Sequence, residues 1–129
     1  MRGSLTIAGL GPGDAALVTP EVSAALADAT DVLGYAPYVT RVPARDGLRL
    51  HPSDNRMELQ RAGEALKLAA EGRSVVIVSS GDPGVFAMAA AVFEALEAKP
   101  ELQDLSIRVL PGVTAMLAAA ARAGLARPG

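Results

Sequence analysis

The segment VVIVSSGDPG, residues 75–84, decides the fold of this 129-residue chain. Val75 to Val78 is a run of β-branched residues without a polar position, which is typical of a strand buried on both faces of a parallel sheet. The turn that follows leads into an Ala-rich stretch, and a helix is predicted from Gly84 or Val85 to a point before Pro100. This order of strand, turn and helix is typical of an α/β protein.

Two more turns of the same kind follow apolar runs elsewhere in the chain. Gly9-Leu10-Gly11-Pro12-Gly13-Asp14 ends an apolar run that begins at Leu5, and Pro111-Gly112-Val113-Thr114 ends a run that begins at Ile107. In an open α/β sheet the turns that follow the strands lie at one edge, where ligands bind. The sequence therefore predicts that the three turns form one ligand site, although they are far apart in the chain.

The other predicted elements continue the alternation of strand and helix. Thr19 as a hydroxyl N-cap and Pro20 at the first helical position predict a helix that reaches Ala29. The remaining elements are a strand from Asp31 to Tyr35, a loop through residues 36–38, a weaker strand from Leu48 to His51, a helix capped by Asn55 that ends at Gly72, and a last helix over residues 114–123. Parallel strands with right-handed crossovers then give a three-layer, doubly wound and mostly parallel five-stranded α/β sheet.

Composition restricts the classes of function. The formal net charge is −2 with Lys and Arg dispersed among Asp and Glu, so nucleic acid is not an expected partner. Cysteine is absent and His51 is the one histidine, which argues against thiolate catalysis and against a metal site. No apolar run reaches membrane-spanning length, and no apolar leader precedes the first strand, so we expect a soluble, cytoplasmic protein without a membrane partner.

The three turns do not have the pattern of a phosphate-binding loop. None ends in the Gly-Lys-Ser/Thr of a Walker loop, and Asp14 stands where a dinucleotide fingerprint needs its third glycine. Pro12 also lacks the amide that an anion would bind. A neutral or cationic ligand is favoured, with Asp82 as a carboxylate able to accept hydrogen bonds from an ammonium or a ribose hydroxyl. The alternative is that Asp14, Asp82 and Thr114 are only turn formers or helix caps.

Taken together, these motifs resemble those of the tetrapyrrole (corrin/porphyrin) methyltransferases. The resemblance is carried by GLGPGD after the first strand, by SSGDPGVFAM at residues 79–88 and by PGVTA at residues 111–115, in the same order and at similar spacing. The segments LGYAPY at residues 33–38 and SDNR at residues 53–56 are similar to the branch of the family that methylates precorrin-3B at C17. The resemblance extends from Leu5 to Gly124.

The resemblance implies a homodimeric enzyme of two α/β domains, with S-adenosyl-L-methionine bound between them and the tetrapyrrole in an adjoining trough. It further implies that residues 1–124 correspond to the first domain and residues 125–129 to a tail, with the C-terminal domain expected outside this sequence. The resemblance implies that a first set of residues, called the donor side, contacts the methyl donor: Pro12, Ser80, Gly81, Asp82, Val85, Thr114 and Ala115. It implies that a second set, called the substrate side, contacts the tetrapyrrole: Gly11, Gly13, Asp14, Tyr35, Tyr38, Asp54 and Arg56.

The implied reaction is methyl transfer from a sulfonium to C17 of precorrin-3B, with ring contraction to precorrin-4. Such an in-line displacement needs no covalent enzyme intermediate, so the main task of the protein is to align the reacting atoms. Many relatives carry an aspartate where this chain has Ala36, which leaves the catalytic acid or base unidentified, with Tyr35 as a candidate. Arg56 is a candidate partner for a substrate carboxylate, or alternatively a solvated helix residue.

Two other classes of function are alternatives: a different methyltransferase of the same fold, and a protein without catalytic activity. Diphthine synthases and ribosomal RNA ribose methyltransferases share the fold and the Gly-Pro-Gly turn, although the mild acidity of the chain and its segments 34–38 and 53–56 favour the corrin branch. A non-catalytic binding or assembly module is the third possibility. Because one domain supplies one wall of the cleft, we expect the 129-residue chain by itself to bind the methyl donor weakly and to have little or no activity.

Overall fold

Five parallel strands form the sheet in the order β3-β2-β4-β1-β5. The computed structural model of the protein describes residues 3–11 and 18–112. The strands are β1 (Ser4–Gly9), β2 (Asp31–Tyr35), β3 (Arg49–Ser53), β4 (Ser74–Ser79) and β5 (Ser106–Leu110). Each pair of neighbouring strands is parallel, and Ile77 of β4 lies opposite Ile7 on one side and Leu33 on the other. The prediction of an α/β fold is confirmed, and the five strands are all parallel.

Helices cover both faces of the sheet and make three layers. They are α1 (Pro20–Asp28), α2 (Ala36–Val39), α3 (Glu58–Ala70) and α4 (Asp82–Glu97), and a 3₁₀ turn at Pro100–Leu102 precedes β5. Side chains of the central strands alternate between two cores, as the two-residue period of a strand requires. Ile7 and Ile77 pack with residues of α3 and α4, whereas Ala8 and Val78 pack with residues of α1. All four are almost completely buried, which confirms that β1 and β4 are covered on both faces.

The connections that leave β1 and β4 go to opposite faces of the sheet. β1 continues into α1 on one face and then to β2, whereas β4 continues into α4 on the other face and then to β5. In doubly wound sheets, neighbouring strands whose connections go to opposite faces leave room for a crevice beyond their carboxyl ends. Doubly wound sheets bind their ligands at this switch point. The topology therefore places the residues that follow Gly9 and Ser79 at a crevice.

Two helix boundaries differ from the predictions because of local hydrogen bonds. Residues 36–39, predicted as part of a loop, form α2, with Pro37 in its first turn and the Thr40 hydroxyl donating to the Pro37 carbonyl oxygen at 2.9 Å. Asn55 does not cap α3, which begins at Glu58. The Asn55 Oδ1 instead accepts from the N–H of Arg56, whose φ of 65° lies in the left-handed region and keeps this segment outside the helix.

Two further elements begin or end about two residues from the predicted positions. β3 continues past His51 to Ser53 and includes Pro52, which is tolerated because β3 is an edge strand. α4 begins at Asp82, before the predicted start, with Pro83 in its first turn. The predicted cap of α1 is confirmed, since the Thr19 hydroxyl accepts from the N–H of Val22 at 3.2 Å. The last predicted helix, residues 114–123, lies outside the described residues.

Asp31 is a fully buried carboxylate at the amino end of β2. It accepts hydrogen bonds from the Arg73 side chain and from the Thr30 hydroxyl at 2.7 Å, and it lies 2.8 Å from His51 Nε2 and 3.2 Å from Arg49 Nε. Burial by itself raises the pKa of Asp31, but the hydrogen bonds from Arg73, His51 and Thr30 outweigh it and hold the pKa below its ordinary value. The cluster joins β2 to β3 and to the start of β4, at the edge opposite the crevice.

Replacement of Asp31 with Asn is expected to lower the free energy of unfolding by about 2 kcal/mol near neutral pH, because Arg73 and Arg49 lose a buried anion. Since the folded-state pKa of Asp31 is below its unfolded value of about 4, its ionised form stabilises the fold above that value. This contribution disappears as the pH falls through the folded-state pKa.

Urea titrations over a range of pH measure both effects of the Asp31→Asn change. The variant should lose less stability than the wild type on acidification below about pH 4, because one titrating group is gone. Asp46→Asn, at an exposed carboxylate, is the control and should leave the curves unchanged. Identical acid curves for the wild type and Asp31→Asn would contradict the role of Asp31.

Candidate functional site

The first and third turns touch through their backbones. A Cβ atom on Gly9 would lie 2.6 Å from the Gly112 nitrogen, and one on Gly112 would lie 2.9 Å from both the Gly11 nitrogen and the Gly9 oxygen. Since Cβ atoms do not approach other atoms so closely, only glycine lets the chain after β1 lie against the chain after β5. Gly11 also has a φ of 75°, in the left-handed region.

Two hydrogen bonds join the second turn to the other two. The Asp82 Oδ1 accepts from the N–H of Gly112 at 3.1 Å, which connects the second turn to the third. The N–H of Leu10 donates to the Ser79 carbonyl oxygen at 2.7 Å, which connects the first turn to the second. The described parts of the three turns therefore meet at one place, as the sequence predicts.

Four of the donor-side candidates lie in the described part of the chain. Ser80 and Gly81 are half-buried in the second turn, Asp82 is the first residue of α4, and Val85 is fully buried one turn further on. A Val85 methyl group lies 3.0 Å from the Cβ position of Gly9, so this side chain packs beneath the first turn. The candidates outside the described residues are Pro12, Gly13, Asp14, Thr114 and Ala115.

The described substrate-side candidates after β2 and β3 lie at the other end of the same sheet edge. Tyr35 ends β2 and Tyr38 lies in α2, and their rings pack edge to face with centroids 5.4 Å apart and an interplanar angle of 85°. Asp54 and Arg56 are exposed in the segment that follows β3. Gly11, also predicted on the substrate side, is buried in the first turn next to Gly112. The structure thus separates a tyrosine pair and a polar segment from the three glycine-rich turns.

Arg61 of α3 is a buried cation that the sequence analysis does not predict as part of the site. It is 8% exposed, and its Nε and Nη2 donate to the Ser53 hydroxyl oxygen at 3.1 and 2.8 Å. Nη2 also donates to the Asp54 carbonyl oxygen at 2.9 Å, and Nη1 lies 3.9 Å from the Met88 sulfur of α4. Burial lowers the pKa of Arg61, yet a guanidinium stays protonated at neutral pH. Arg61 therefore fixes the segment after β3 to both α3 and α4.

Arg41 is a second arginine outside the predicted set. Its Nη1 donates to the Gly11 carbonyl oxygen at 3.0 Å and its Nη2 to the Leu10 carbonyl oxygen at 3.2 Å. Arg41 follows α2, so this side chain ties the segment after β2 to the segment after β1. A local sequence pattern does not reveal this contact, because residues 11 and 41 are brought together only by the strand order.

The arrangement favours holding ligands over covalent catalysis. A glycine-lined crevice lets a flat or bulky ligand lie directly against the main chain. The sequence has no cysteine, so no thiolate nucleophile is present. Among residues 3–11 and 18–112, no helix combines the length and apolar character needed to cross a bilayer. Fold and geometry together define a doubly wound α/β domain whose candidate site lies at the switch point of the sheet.

Comparison with known proteins identifies the family. Residues 4–127 match the Tetrapyrrole (Corrin/Porphyrin) Methylases, and the chain belongs to this family. The precorrin-3B C(17)-methyltransferase of Sinorhizobium sp is 52% identical over 126 residues, covering 96% of this chain and 49% of the relative. The cobalamin biosynthesis protein CobIJ of Mycobacterium bovis is 51% identical over 124 residues, covering 96% of this chain and 24% of the relative.

A solved structure gives the same result. The crystal structure of the methyltransferase CobJ matches with a TM-score of 0.86 and 70% identity, covering 95% of this chain and 51% of that one. The resemblance to the tetrapyrrole methyltransferases and the α/β fold are therefore confirmed. The chain spans about a quarter to a half of the length of these three relatives.

Replacement of Gly9 with Ala is expected to lower the free energy of unfolding by about 2 kcal/mol, because the new methyl group overlaps the Gly112 backbone. Gly63→Ala is the matched control, since a Cβ there meets no atom within 4 Å and α3 gains a better helix former. The control should be stabilised by up to about 1 kcal/mol. Equal stability of Gly9→Ala and wild type in thermal and urea unfolding would refute the close contact of the turns.

Proposed function

We propose that residues 1–124 are the first domain of an S-adenosyl-L-methionine-dependent methyltransferase of cobalamin biosynthesis, with residues 125–129 as a tail. The proposed reaction is methylation of precorrin-3B at C17, with ring contraction to precorrin-4, in a cytoplasmic homodimer. Two facts support this choice: membership of the tetrapyrrole methylase family and 52% identity to a relative named for this reaction. The single structural observation that carries it is the meeting of the three glycine-rich turns at the switch point.

The proposed methyl donor lies against the three turns. The backbones of Gly9 and Gly112 lie against each other without side chains between them, and Ser80 and Gly81 are half-buried in the second turn. We assign donor contacts to these turns, together with Pro12, Thr114 and Ala115, which lie in the same motifs. Glycine positions suit an adenosyl group because its ring can approach the main chain closely.

The proposed tetrapyrrole lies toward the ends of β2 and β3. Tyr35 and Tyr38 present an edge-to-face pair there, and the exposed Arg56 can bind one of the substrate carboxylates. Arg61 holds the Ser53 hydroxyl and the Asp54 carbonyl, and so fixes the segment that carries Arg56. Gly13 and Asp14 of the first turn would border the substrate from the donor side.

In this reaction the protein must align the methyl carbon, the leaving sulfur and the ring carbon on one line. Positioning of this kind can contribute about 7–11 kcal/mol to the lowering of a barrier. Since methyl transfer needs no covalent enzyme intermediate, the lack of cysteine is no obstacle. Ring contraction also requires proton transfer, for which Tyr35 at the end of β2 is the candidate residue in this chain.

Donor binding tests the proposal directly. Isothermal titration of the full-length gene product with S-adenosyl-L-homocysteine should show a saturable site, and methyl transfer to precorrin-3B should exceed transfer to protein or RNA acceptors. The 129-residue chain by itself should bind at least roughly tenfold more weakly, because it supplies one wall of the cleft. Sub-micromolar binding by the chain alone would contradict the one-wall proposal, and failure of the full-length product to bind would contradict the donor site.

Variants of Asp82 give a second test. They distinguish a role of Asp82 in holding the Gly112 N–H from a direct contact of its charge with the methyl donor. Asp82→Ala removes the acceptor for the Gly112 N–H and should weaken donor binding roughly tenfold. Asp82→Asn keeps an acceptor oxygen, so binding should stay within about threefold of wild type if Asp82 acts through Gly112. An equal loss in both variants would instead show that the charge itself contacts the donor.

Asp28→Ala, at an exposed carboxylate in the last turn of α1, is the control for the Asp82 variants and should bind like wild type. Wild-type affinity in Asp82→Ala would exclude any role of Asp82 in donor binding.

A further inference from the structure

The start of the first glycine-rich turn, residues 9–11, is held from two sides. On one side, the N–H of Leu10 donates to the Ser79 carbonyl oxygen at the end of β4. On the other side, the Leu10 and Gly11 carbonyl oxygens accept from the two terminal nitrogens of Arg41. The forked guanidinium thus fixes two successive carbonyl groups, and hydrogen bonds from a charged donor are generally stronger than those between neutral groups. Because Gly11 lacks a side chain, these backbone bonds set the orientation of its peptide.

Arg41 comes from the segment assigned above to the substrate side. It follows α2, which contains Tyr38, and the Tyr38 ring packs on Tyr35 at the end of β2. The peptide that Arg41 holds leads directly from β1 into the donor-side turn, where Gly11 contacts the backbone of Gly112. One side chain therefore connects the two halves of the proposed site.

We propose that Arg41 is a positioning residue for the methyl donor: its guanidinium holds the Leu10 and Gly11 carbonyl groups and thereby sets the first glycine-rich turn for donor binding. This inference rests on the function proposed above. Loss of the guanidinium removes the hydrogen bonds to both carbonyl groups. The peptide between Leu10 and Gly11 is then no longer held from this side. Donor affinity then falls, while the sheet and its cores stay in place.

Arg45 offers a matched comparison within the same chain. Its Nη2 donates to the carbonyl oxygens of Leu26, Ala27 and Ala29 at 2.9, 2.9 and 2.8 Å. The chemistry is the same as that of Arg41, namely a guanidinium bound to backbone carbonyl groups. The location differs, because these carbonyl groups belong to the end of α1, which leads to the amino edge of the sheet, opposite the three turns. Loss of Arg45 therefore affects stability without reaching the site.

The experiment compares Arg41→Met, Arg41→Lys and Arg45→Met in the full-length gene product. Isothermal titration with S-adenosyl-L-homocysteine should show roughly tenfold weaker binding for Arg41→Met and wild-type binding for Arg45→Met. Arg41→Lys should be intermediate, because an ammonium group cannot reproduce the fork that holds two carbonyl groups. In steady-state assays of Arg41→Met the KM for the methyl donor should rise by a larger factor than the KM for the tetrapyrrole.

Chemical rescue distinguishes a role of Arg41 in positioning the turn from an effect of Arg41 on the stability of the whole protein. Addition of guanidinium at concentrations too low to unfold the protein should restore donor binding to Arg41→Ala, and should not change binding by the wild type or Arg45→Met. Wild-type affinity in Arg41→Met, or equal losses in Arg41→Met and Arg45→Met, would overturn the proposal for Arg41 while leaving the donor site intact. Absence of binding by the wild type would overturn the proposed function and this inference with it.

Discussion

The contact between the backbones of Gly9 and Gly112 determines where the rest of the site can lie. These residues follow β1 and β5, which are neighbours in the sheet, and a side chain at either position would push the two segments apart. The same contact brings the N–H of Gly112 within reach of Asp82, so the turn after β4 is joined to the other two. Three backbone segments therefore meet at one place without side chains between them.

The two edges of the sheet are stabilised in different ways. At the amino edge, Asp31 gathers Arg73, Arg49 and His51 around a buried carboxylate, and this cluster fixes β3 and the start of β4 to β2. At the carboxyl edge, arginines bind neutral oxygens instead: Arg41 binds carbonyl groups of the first turn, and Arg61 binds a hydroxyl and a carbonyl after β3. A buried charge cluster holds the amino edge together with Arg45 on the end of α1, whereas Arg41 and Arg61 hold the segments at the carboxyl edge, with no ion pair to a carboxylate among the described residues.

The sequence predicts those features that depend on local patterns. The run from Val75 to Val78 indicates a buried strand, and the three glycine-rich turns indicate a common edge, both of which the structure confirms. The start of α3 could not be predicted, because Asn55 has the side chain of a cap but bonds to the Arg56 N–H. The roles of Arg41 and Arg61 could not be predicted either, because the strand order brings their partners close to them. For Arg61 alone, the sequence indicates burial, since it stands four residues from Ala65 on the apolar face of α3.

A crystal structure of the full-length gene product with S-adenosyl-L-homocysteine is the most direct measurement of whether the three turns form one donor site. We expect the ligand to contact the first turn at residues 9–11, the second at residues 80–82 and the third beyond Pro111, all in one molecule. A ligand bound at the opposite edge of the sheet, or one that touches a single turn, would contradict this assignment.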